Sequence, residues 1–223
     1  MWPTEQNRRA WNDRYGHGGG PGGRLPDAVR ERLPDLEGKH VLHVPCGAGD
    51  ASAELIALGA LVTGVDPSDE ALAAARARAP EAAFFQAELH ELPLHLRRGR
   101  FNLVYAGEGT LAIVSDLALF ASAVAATLRK NGELILYDWH PVAACVDPVD
   151  LRWRESYFAE GLWRLGQVVV AVAEAGLALR ELEELPPPPS EAGGRLDPRL
   201  PTDFLLRATK TEPPERSARL AKR

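Results

Sequence analysis

Cysteine and long apolar runs are both scarce in this chain. It has two cysteines among 223 residues, Cys46 and Cys145. These are too few for a disulfide framework or a zinc site, so we expect a reducing compartment and no metal. The best apolar run, at 168–173, falls far short of the roughly 18 residues that cross a membrane, and the amino end carries no apolar signal core. These absences predict a cytoplasmic protein without a membrane partner.

An excess of positive charge is absent as well. The 26 lysine and arginine residues face 31 acidic residues, for a formal net charge of -5, and no basic stripe is interleaved with aromatic residues. The basic cluster at 97–100 is typical of a solvated loop. The charge therefore argues against nucleic acid as an obligatory partner, and we expect none. The length predicts one domain of the larger sort, with little room for a second nucleotide-binding half.

Glycine, by contrast, is concentrated near the amino end. Residues 18–23 read Gly-Gly-Gly-Pro-Gly-Gly, which is either a plain linker or the hinge of an amino-terminal flap. Trp11 and Tyr15 precede it and either dock on the body or contact a ligand. We predict a flexible lid segment at 1–24, a single domain at 25–210 and a disordered tail at 211–223.

Short apolar runs alternate with helix-forming stretches in the body of the chain. After a helix at 25–36, the pattern predicts strands at 41–45, 61–65, 83–86, 101–106 and 133–137, with helices at 50–58, 69–78 and 115–129. Asn131 and Gly132 are placed to end the last of these helices with positive φ. Beyond Asp138 we expect a long loop at 139–158, a helix at 162–175 and strands at 177–183 and 203–209. Successive strand–helix–strand units predict a doubly wound parallel α/β sheet.

The first strand ends in a glycine-rich turn. Pro45-Cys46-Gly47-Ala48-Gly49 separates the strand from the next helix. Glycines there let the backbone come close to a ligand, and the free N–H groups of a helix start favour an anionic group. A tight turn without a ligand is the alternative, because such a motif alone is weak.

Asp66 strengthens the case for a cofactor. It ends the second apolar run about 20 residues after the turn, the spacing of an acid that binds ribose hydroxyls. A helix cap is the alternative, although Ser68 or Asp69 can serve as the cap instead.

These parts together resemble the class I S-adenosylmethionine-dependent methyltransferases over roughly residues 35–210. Five segments are similar to motifs of that family, in order: 41–49 to motif I, 64–68 to the ribose-binding end of the second strand, 88–93 to the acidic residue and Leu-Pro pair after the third, 101–105 to the fourth-strand motif, and 128–134 to the helix end before the fifth. The resemblance implies a seven-stranded, mostly parallel, Rossmann-like sheet with an antiparallel last strand, and S-adenosylmethionine as cofactor.

The resemblance also implies a set of cofactor-binding residues, with the ribose on Asp66 and the adenine edge near Glu88. Motif I departs from the family pattern twice, because His43 stands where an acid is usual and Pro45 where glycine is usual. A neutral histidine accepts a hydrogen bond, whereas a protonated one repels the cationic methyl donor. The predicted cofactor-binding residues are Trp11, Tyr15, His43, Cys46, Gly47, Gly49, Asp66, Pro67, Glu88, Leu89, Tyr105 and Ala106.

Four further segments are similar to a bacterial subgroup of small stand-alone methyltransferases that has no well-defined substrate. They are 105–111, His140-Pro141, 155–158 and 206–210, and the region between Phe158 and Trp163 is shorter here. This resemblance implies methyl transfer to a small-molecule acceptor. Neither the identity of the acceptor nor the oligomeric state follows from it.

In-line displacement at a sulfonium requires mainly that water is excluded and the acceptor is held against the methyl group. A base is needed only if the acceptor arrives protonated, and His140, after the fifth strand, is the predicted catalytic base. A histidine that only orders the loop is the alternative. The ring of Tyr105 either faces the sulfonium or belongs to the core. The predicted substrate-binding residues are Glu108, His140, Arg154 and Tyr157, with solvated side chains as the alternative for Glu108 and Arg154.

Two other functions fit part of the pattern. A non-catalytic module that binds S-adenosylmethionine or S-adenosylhomocysteine, or a protein partner, is compatible with His43 and Pro45. An NAD-dependent oxidoreductase is less favoured, because Ser52 stands where the dinucleotide motif has its third glycine.

Overall fold

The computed structural model describes residues 23–147, 152–187 and 199–211. Seven strands form one sheet in the order β3-β2-β1-β4-β5-β7-β6. Neighbours among β1 to β5 are parallel, and β7 is antiparallel to both β5 and β6. The predicted doubly wound, seven-stranded sheet with an antiparallel last strand is confirmed. The strands are β1 His40–His43, β2 Leu61–Asp66, β3 Ala83–Gln86, β4 Phe101–Ala106, β5 Leu128–Trp139, β6 Leu177–Leu185 and β7 Asp203–Lys210.

The helices lie between the strands, and two of them are preceded by side chains that cap the helix, Ser68 and Asp116. Ser68 caps the helix after β2 by accepting the N–H of Ala71 at 3.0 Å, which leaves Asp66 free of that task, as predicted. No helix in the described ranges is long and apolar enough to cross a membrane. The helices are α1 Asp27–Arg30, α2 Asp50–Ala57, α3 Asp69–Arg78, α4 Thr110–Ile113, α5 Leu117–Thr127 and α6 Leu165–Glu174, with a 3-10 helix at Pro141–Cys145.

The helix predicted at 25–36 is wrong in extent. Only Asp27–Arg30 is helical, after Pro26 at the N-cap. Pro34 disfavours helical backbone at the residue before it and cannot donate an N–H, so the helical hydrogen bonds stop near Leu33. The first strand is also shorter than predicted, ending at His43 instead of residue 45.

The boundary between α5 and β5 differs from the prediction as well. The helix ends at Thr127, and the chain enters β5 at Leu128 without an intervening loop. Asn131 does have positive φ, 59°, but it lies inside β5, where the pairing with β4 shifts register. Gly132 is needed there because a Cβ would lie 2.9 Å from the carbonyl oxygen of Phe101.

Alternate residues of β5 point to two separate apolar layers. Leu134 and Leu136 belong to the core under α5 and α6, whereas Ile135 and Tyr137 belong to the core on the opposite face, with Val29 of α1. This period of two is what a central strand with both faces covered requires. The carboxyl ends of the parallel strands therefore meet along one edge, and the predicted site residues follow those ends.

Candidate functional site

The turn after β1 is built tightly against α3. Gly47 and Gly49 both have positive φ, 52° and 84°, and Gly49 is the N-cap of α2. A Cβ on Gly49 would lie 2.9 Å from the Cα of Ala75 on α3. Glycine at this position is thus needed for the packing of the turn on α3, whether or not a ligand binds there.

Asp66 joins this turn to the carboxyl end of β2. Its Oδ2 accepts the N–H of Gly47 at 2.9 Å, and its Oδ1 accepts the N–H of Ser68 at 2.9 Å. The side chain is 2% exposed. Because a carboxylate has about four acceptor sites, two are left for hydroxyl donors.

Burial dominates the electrostatics of Asp66. It raises the pKa of the carboxyl from 3.8 to about 6, with a further increase from the charge of Glu88, against the two backbone N–H groups that lower it. No cationic side chain of the described residues pairs with this carboxylate. Glu88 follows β3, so the two predicted acids do lie at neighbouring strand ends.

Two other cofactor-binding candidates near Asp66, Cys46 and Pro67, form hydrogen bonds through their backbone atoms. Cys46 donates its N–H to the carbonyl of Val65 at 2.9 Å, and burial raises the pKa of its thiol. The carbonyl of Pro67 accepts the side-chain amide of Gln86 at 3.0 Å. Leu89 and Ala106 are buried. Trp11 and Tyr15 lie outside the described residues.

His43 is buried at the end of β1. Its Nδ1 lies 2.8 Å from the hydroxyl of Ser52, and its ring stacks on Tyr105 with centroids 5.1 Å apart. Burial lowers the pKa of the imidazole from 6.5 to about 3, so the ring is neutral at physiological pH. Burial likewise raises the pKa of the Tyr105 phenol. This environment therefore disfavours the protonated form of His43 near neutral pH, which is the form that would repel a cationic methyl donor.

His43 and Tyr105 also line a small pocket at the carboxyl edge of the sheet. Gly107 and Glu108 form its side after β4, and Ala51 its side on α2. The described start of the chain closes it, with Gly23, Arg24 and Pro26 as further lining residues.

Glu54 of α2 anchors this amino-terminal segment. It pairs with the guanidinium of Arg24, with 3.0 Å between Nε and Oε1, and also with Arg30 of α1. The side chain of Arg24 is exposed, so this ion pair contributes little to stability.

Asp138, at the end of β5, is a buried residue of this edge that sequence reasoning missed. It accepts N–H groups from Gly109 and Leu111, in the segment after β4. The chain separation of Asp138 from these donors, 29 and 27 residues, carries no local sequence signal. A polar residue between the apolar Leu134–Tyr137 run and Trp139 was the available hint.

Both ring nitrogens of His140 lie close to polar groups of the protein. Nδ1 accepts the N–H of Val142 at 3.1 Å, and Nε2 lies 2.9 Å from Oε1 of Glu184 on β6. Nδ1 is therefore the unprotonated nitrogen of the neutral ring, and Nε2 carries the proton. Burial lowers the pKa of His140, against the charges of Glu184 and Asp203. This arrangement fits the loop-ordering alternative better than a general base.

The remaining substrate candidates lie in the connection from β5 to α6. Arg154 pairs with the buried carboxylate of Asp147, so its charge is already matched. The hydroxyl of Tyr157 accepts the N–H of Leu165 at 3.3 Å, at the start of α6. Trp163 donates its Nε1–H to the carbonyl of Val114 at 2.7 Å, which ties this connection to the segment after β4.

A cavity of about 510 Å³ opens between those two connections. One wall is residues 111–115, the other is residues 158–164, and Gln167 of α6 completes it. Tyr157 lines the adjoining cavity, together with Trp163 and Arg164. Glu108 lies on the other side, in the small pocket, so the structure does not bring all four substrate candidates together.

The sheet order defines a doubly wound α/β protein, and comparisons with known proteins show what it is similar to. A family model described as a methyltransferase domain matches residues 41–132. A solved S-adenosylmethionine dependent methyltransferase from Mesorhizobium loti superposes with a TM-score of 0.69 and 25% identity, covering 82% of this chain and 95% of that one.

Two curated relatives agree over part of the chain. An uncharacterized methyltransferase of Synechocystis is 32% identical over 111 residues, which is 49% of this chain and 51% of that protein. A ubiquinone biosynthesis O-methyltransferase of Bradyrhizobium diazoefficiens is 33% identical over 133 residues, 53% of this chain and 49% of that protein. The chain spans about half the length of the curated relatives it matches.

Residues 41–132 are thus similar to a methyltransferase domain, and the fold is similar to that of a solved S-adenosylmethionine dependent methyltransferase. The matched segment runs from β1 through Asp66 to Gly132.

Proposed function

We propose that this protein transfers a methyl group from S-adenosylmethionine to a small-molecule acceptor. The observation that carries the proposal is the buried carboxylate of Asp66. It accepts N–H groups from Gly47 and Ser68, and a carboxylate with two bonds has acceptor sites for two hydroxyls. The 1,2-diol of a ribose fits that capacity. An NAD-dependent oxidoreductase is less well supported, because Ser52 is fully buried and bonded to His43 in the place of the third glycine.

The donor site divides into parts along the carboxyl edge. Asp66 would hold the ribose, and Glu88 after β3 would meet the adenine edge. The start of α2 would offer backbone N–H groups to an anionic carboxylate, since the N–H of Gly47 already donates to Asp66. His43 and Tyr105 would face the methionyl part, where a neutral imidazole adds no repulsion to a cationic donor.

S-adenosylmethionine supplies the reactive methyl group, already activated on a sulfonium. The residues of this chain then have to exclude water and align the acceptor for in-line attack. Gly23, Arg24 and Pro26, at the described start of the chain, line the small pocket, which supports a lid role for the amino-terminal segment. With Nδ1 and Nε2 of His140 both engaged, we assign that residue to loop ordering and leave the acceptor to arrive in its nucleophilic form.

The acceptor would bind in the cavity between residues 111–115 and 158–164. Its volume of about 510 Å³ lies in the range of small-molecule sites. Its lining combines apolar side chains, among them Leu111, Phe158 and Trp163, with the polar side chains of Ser115, Glu160, Arg164 and Gln167. An acceptor with both an apolar body and polar groups fits this lining.

Label transfer tests the proposal. The purified protein is incubated with S-adenosylmethionine carrying a radioactive methyl group and with a panel of phenols, amines and thiols, and products are separated by chromatography. Label in a product, abolished in Asp66→Asn, supports the proposal. Tight binding of S-adenosylhomocysteine with no label in any acceptor would instead support the non-catalytic binding module.

A further inference from the structure

The segment that follows β4 is fixed by a carboxylate from β5. Oδ1 of Asp138 accepts the N–H of Gly109 at 2.8 Å, and Oδ2 accepts the N–H of Leu111 at 2.7 Å. Oδ1 also accepts the N–H of Trp139 at 2.8 Å. Asp138 is 1% exposed, so backbone N–H groups replace water around the charge. The segment is therefore held at two points by one side chain.

The rest of this segment leaves little freedom. The hydroxyl of Thr110 donates to the carbonyl of Gly107 at 2.6 Å, and Gly109 has φ of 85°. A Cβ on Gly107 would lie 3.2 Å from the phenol oxygen of Tyr105. Glu108 stands between these two glycines, so its position is set by contacts of its neighbours.

The two ends of the segment serve different compartments. Gly107 and Glu108 line the small pocket together with His43 and Tyr105. In the proposed function, His43 and Tyr105 face the methyl donor. Leu111 and the rest of α4 line the cavity assigned to the acceptor. The wall between donor and acceptor is thus the segment that Asp138 holds.

We propose that Asp138 is a positioning residue for methyl transfer, which acts through the backbone of residues 107–114 to place Glu108 beside the donor and Leu111 beside the acceptor. The assignment rests on the proposed function. The ionised form is the competent one, because both its oxygens accept N–H bonds, whereas protonation turns one oxygen into a donor.

The environment of Asp138 places this change in an accessible pH range. Burial raises the pKa of its carboxyl to about 7, the backbone bonds from Leu111, Gly109 and Trp139 lower it, and the charge of Glu108 raises it. The described titratable groups that interact with Asp138 are Glu108, after β4, and Tyr105, on β4, whose pKa burial raises. Those backbone bonds favour the ionised carboxylate, so the hold of Asp138 on residues 109–111 should weaken as pH falls through about 7. Burial of the same charge acts on the whole fold in the opposite direction, because it favours the protonated form.

The test combines hydrogen exchange with donor-product binding. Asp138→Asn removes the charge and one acceptor at nearly constant volume, and Asp116→Asn is the matched control, since Asp116 caps α5 through a single N–H bond from Leu119 at an exposed site. At pH 8, amide protection in residues 109–111 should fall at least about tenfold in Asp138→Asn, and the Kd for S-adenosylhomocysteine should rise about tenfold. Both quantities should stay within about twofold of wild type in the control.

The exchange rates and the affinity for S-adenosylhomocysteine together separate a positioning role of Asp138 from a structural one. Faster exchange with wild-type affinity for S-adenosylhomocysteine would leave Asp138 a merely structural role and overturn the proposal, as would wild-type exchange. If Asp138→Asn does not fold, wild type alone suffices when protection is compared with that of the core strand β4 at the same pH. If the protection of residues 109–111 relative to β4 is equal at pH 8 and pH 6, the proposal is overturned. If wild type does not bind S-adenosylhomocysteine, the proposed function fails, while exchange still decides whether Asp138 holds the segment.

Discussion

The N–H of Gly47 donates to Oδ2 of Asp66 across 2.9 Å, so the glycine turn after β1 and the acid after β2 form one unit. From the sequence, the glycine turn and Asp66 are predicted as two separate contacts of the cofactor. In the structure the carboxylate sets the position of the turn, and in the proposed function it also offers acceptors to a ribose. Because of this double role, a substitution at Asp66 should affect both ligand binding and the fold.

Asp66→Asn should weaken binding of S-adenosylhomocysteine by at least about tenfold. The amide keeps the volume but loses the charge and one acceptor, and loss of charge-assisted hydrogen bonds costs about 1–3 kcal/mol. Calorimetry at pH 8 measures the change. Asp69→Asn, exposed in the first turn of α3, is the control and should bind like wild type. Equal affinity in the two variants would remove Asp66 from the donor site.

Buried carboxylates should make the protein less stable as pH rises from about 4 to about 7. The pKa of Asp66 is raised from 3.8 to about 6, and that of Asp138 from 3.8 to about 7. A group with a raised pKa in the folded state stabilises fully below its unfolded pKa, and this contribution is lost as pH rises through the folded pKa.

Urea unfolding at pH 4.5, 6 and 8 measures that dependence. Asp66→Asn should reduce the loss of unfolding free energy between pH 4.5 and 6, by an amount of the order of 2 kcal/mol. Asp69→Asn should keep the wild-type slope. A slope that is identical in all three proteins would show that Asp66 does not carry this charge burial.

His43 should not set the pH dependence of ligand binding. With a pKa near 3, its ring stays neutral from pH 5.5 to 8, and Ser52 accounts for Nδ1. The affinity for S-adenosylhomocysteine in wild type and in His43→Gln should therefore follow parallel curves over that range. A flatter curve in His43→Gln would mean that the imidazole does gain a proton in the site.

Gly49→Ala should destabilise the fold by roughly 1–3 kcal/mol. The backbone at 84° is strained for alanine, and the added methyl group would lie 2.9 Å from the Cα of Ala75. Gly166→Ala is the matched control, because Gly166 lies inside α6 with open space around it and should gain about 0.5–1 kcal/mol. Thermal unfolding compares the two, and equal effects of the same sign would contradict the packing assigned to Gly49.

Local pattern was enough to predict most of the sheet. Apolar runs bounded by turn residues give β3 and β4 with the observed bounds, and the strand–helix alternation gives the parallel order. The hydroxyl of Ser68 could be assigned to the cap because its partner is three residues away. The predictions failed where a distant contact or a proline decides, as at Leu128, which enters β5 directly, and at Leu33, before Pro34.

The site was predicted less completely than the fold. Asp66 and Glu88 could be predicted because they stand at the ends of apolar runs in the sequence. The Ser52 hydroxyl beside His43 and the N–H groups bound by Asp138 could not, because they come from other elements of the fold. Nothing in the local sequence distinguishes a histidine that faces a ligand from one that is neutral and stacked on Tyr105. The pairing of Arg154 with Asp147 likewise has no local sequence signal, and a substrate contact by Arg154 stays a prediction.

Calorimetry of the wild-type protein with S-adenosylhomocysteine and with NAD tests the central claim most directly. The claim is that Asp66, the glycine turn after β1 and the neutral His43 form a site for the methyl donor. We predict one S-adenosylhomocysteine bound per chain at pH 8 and no heat of binding with NAD. Binding of NAD, or of neither compound, would contradict the account.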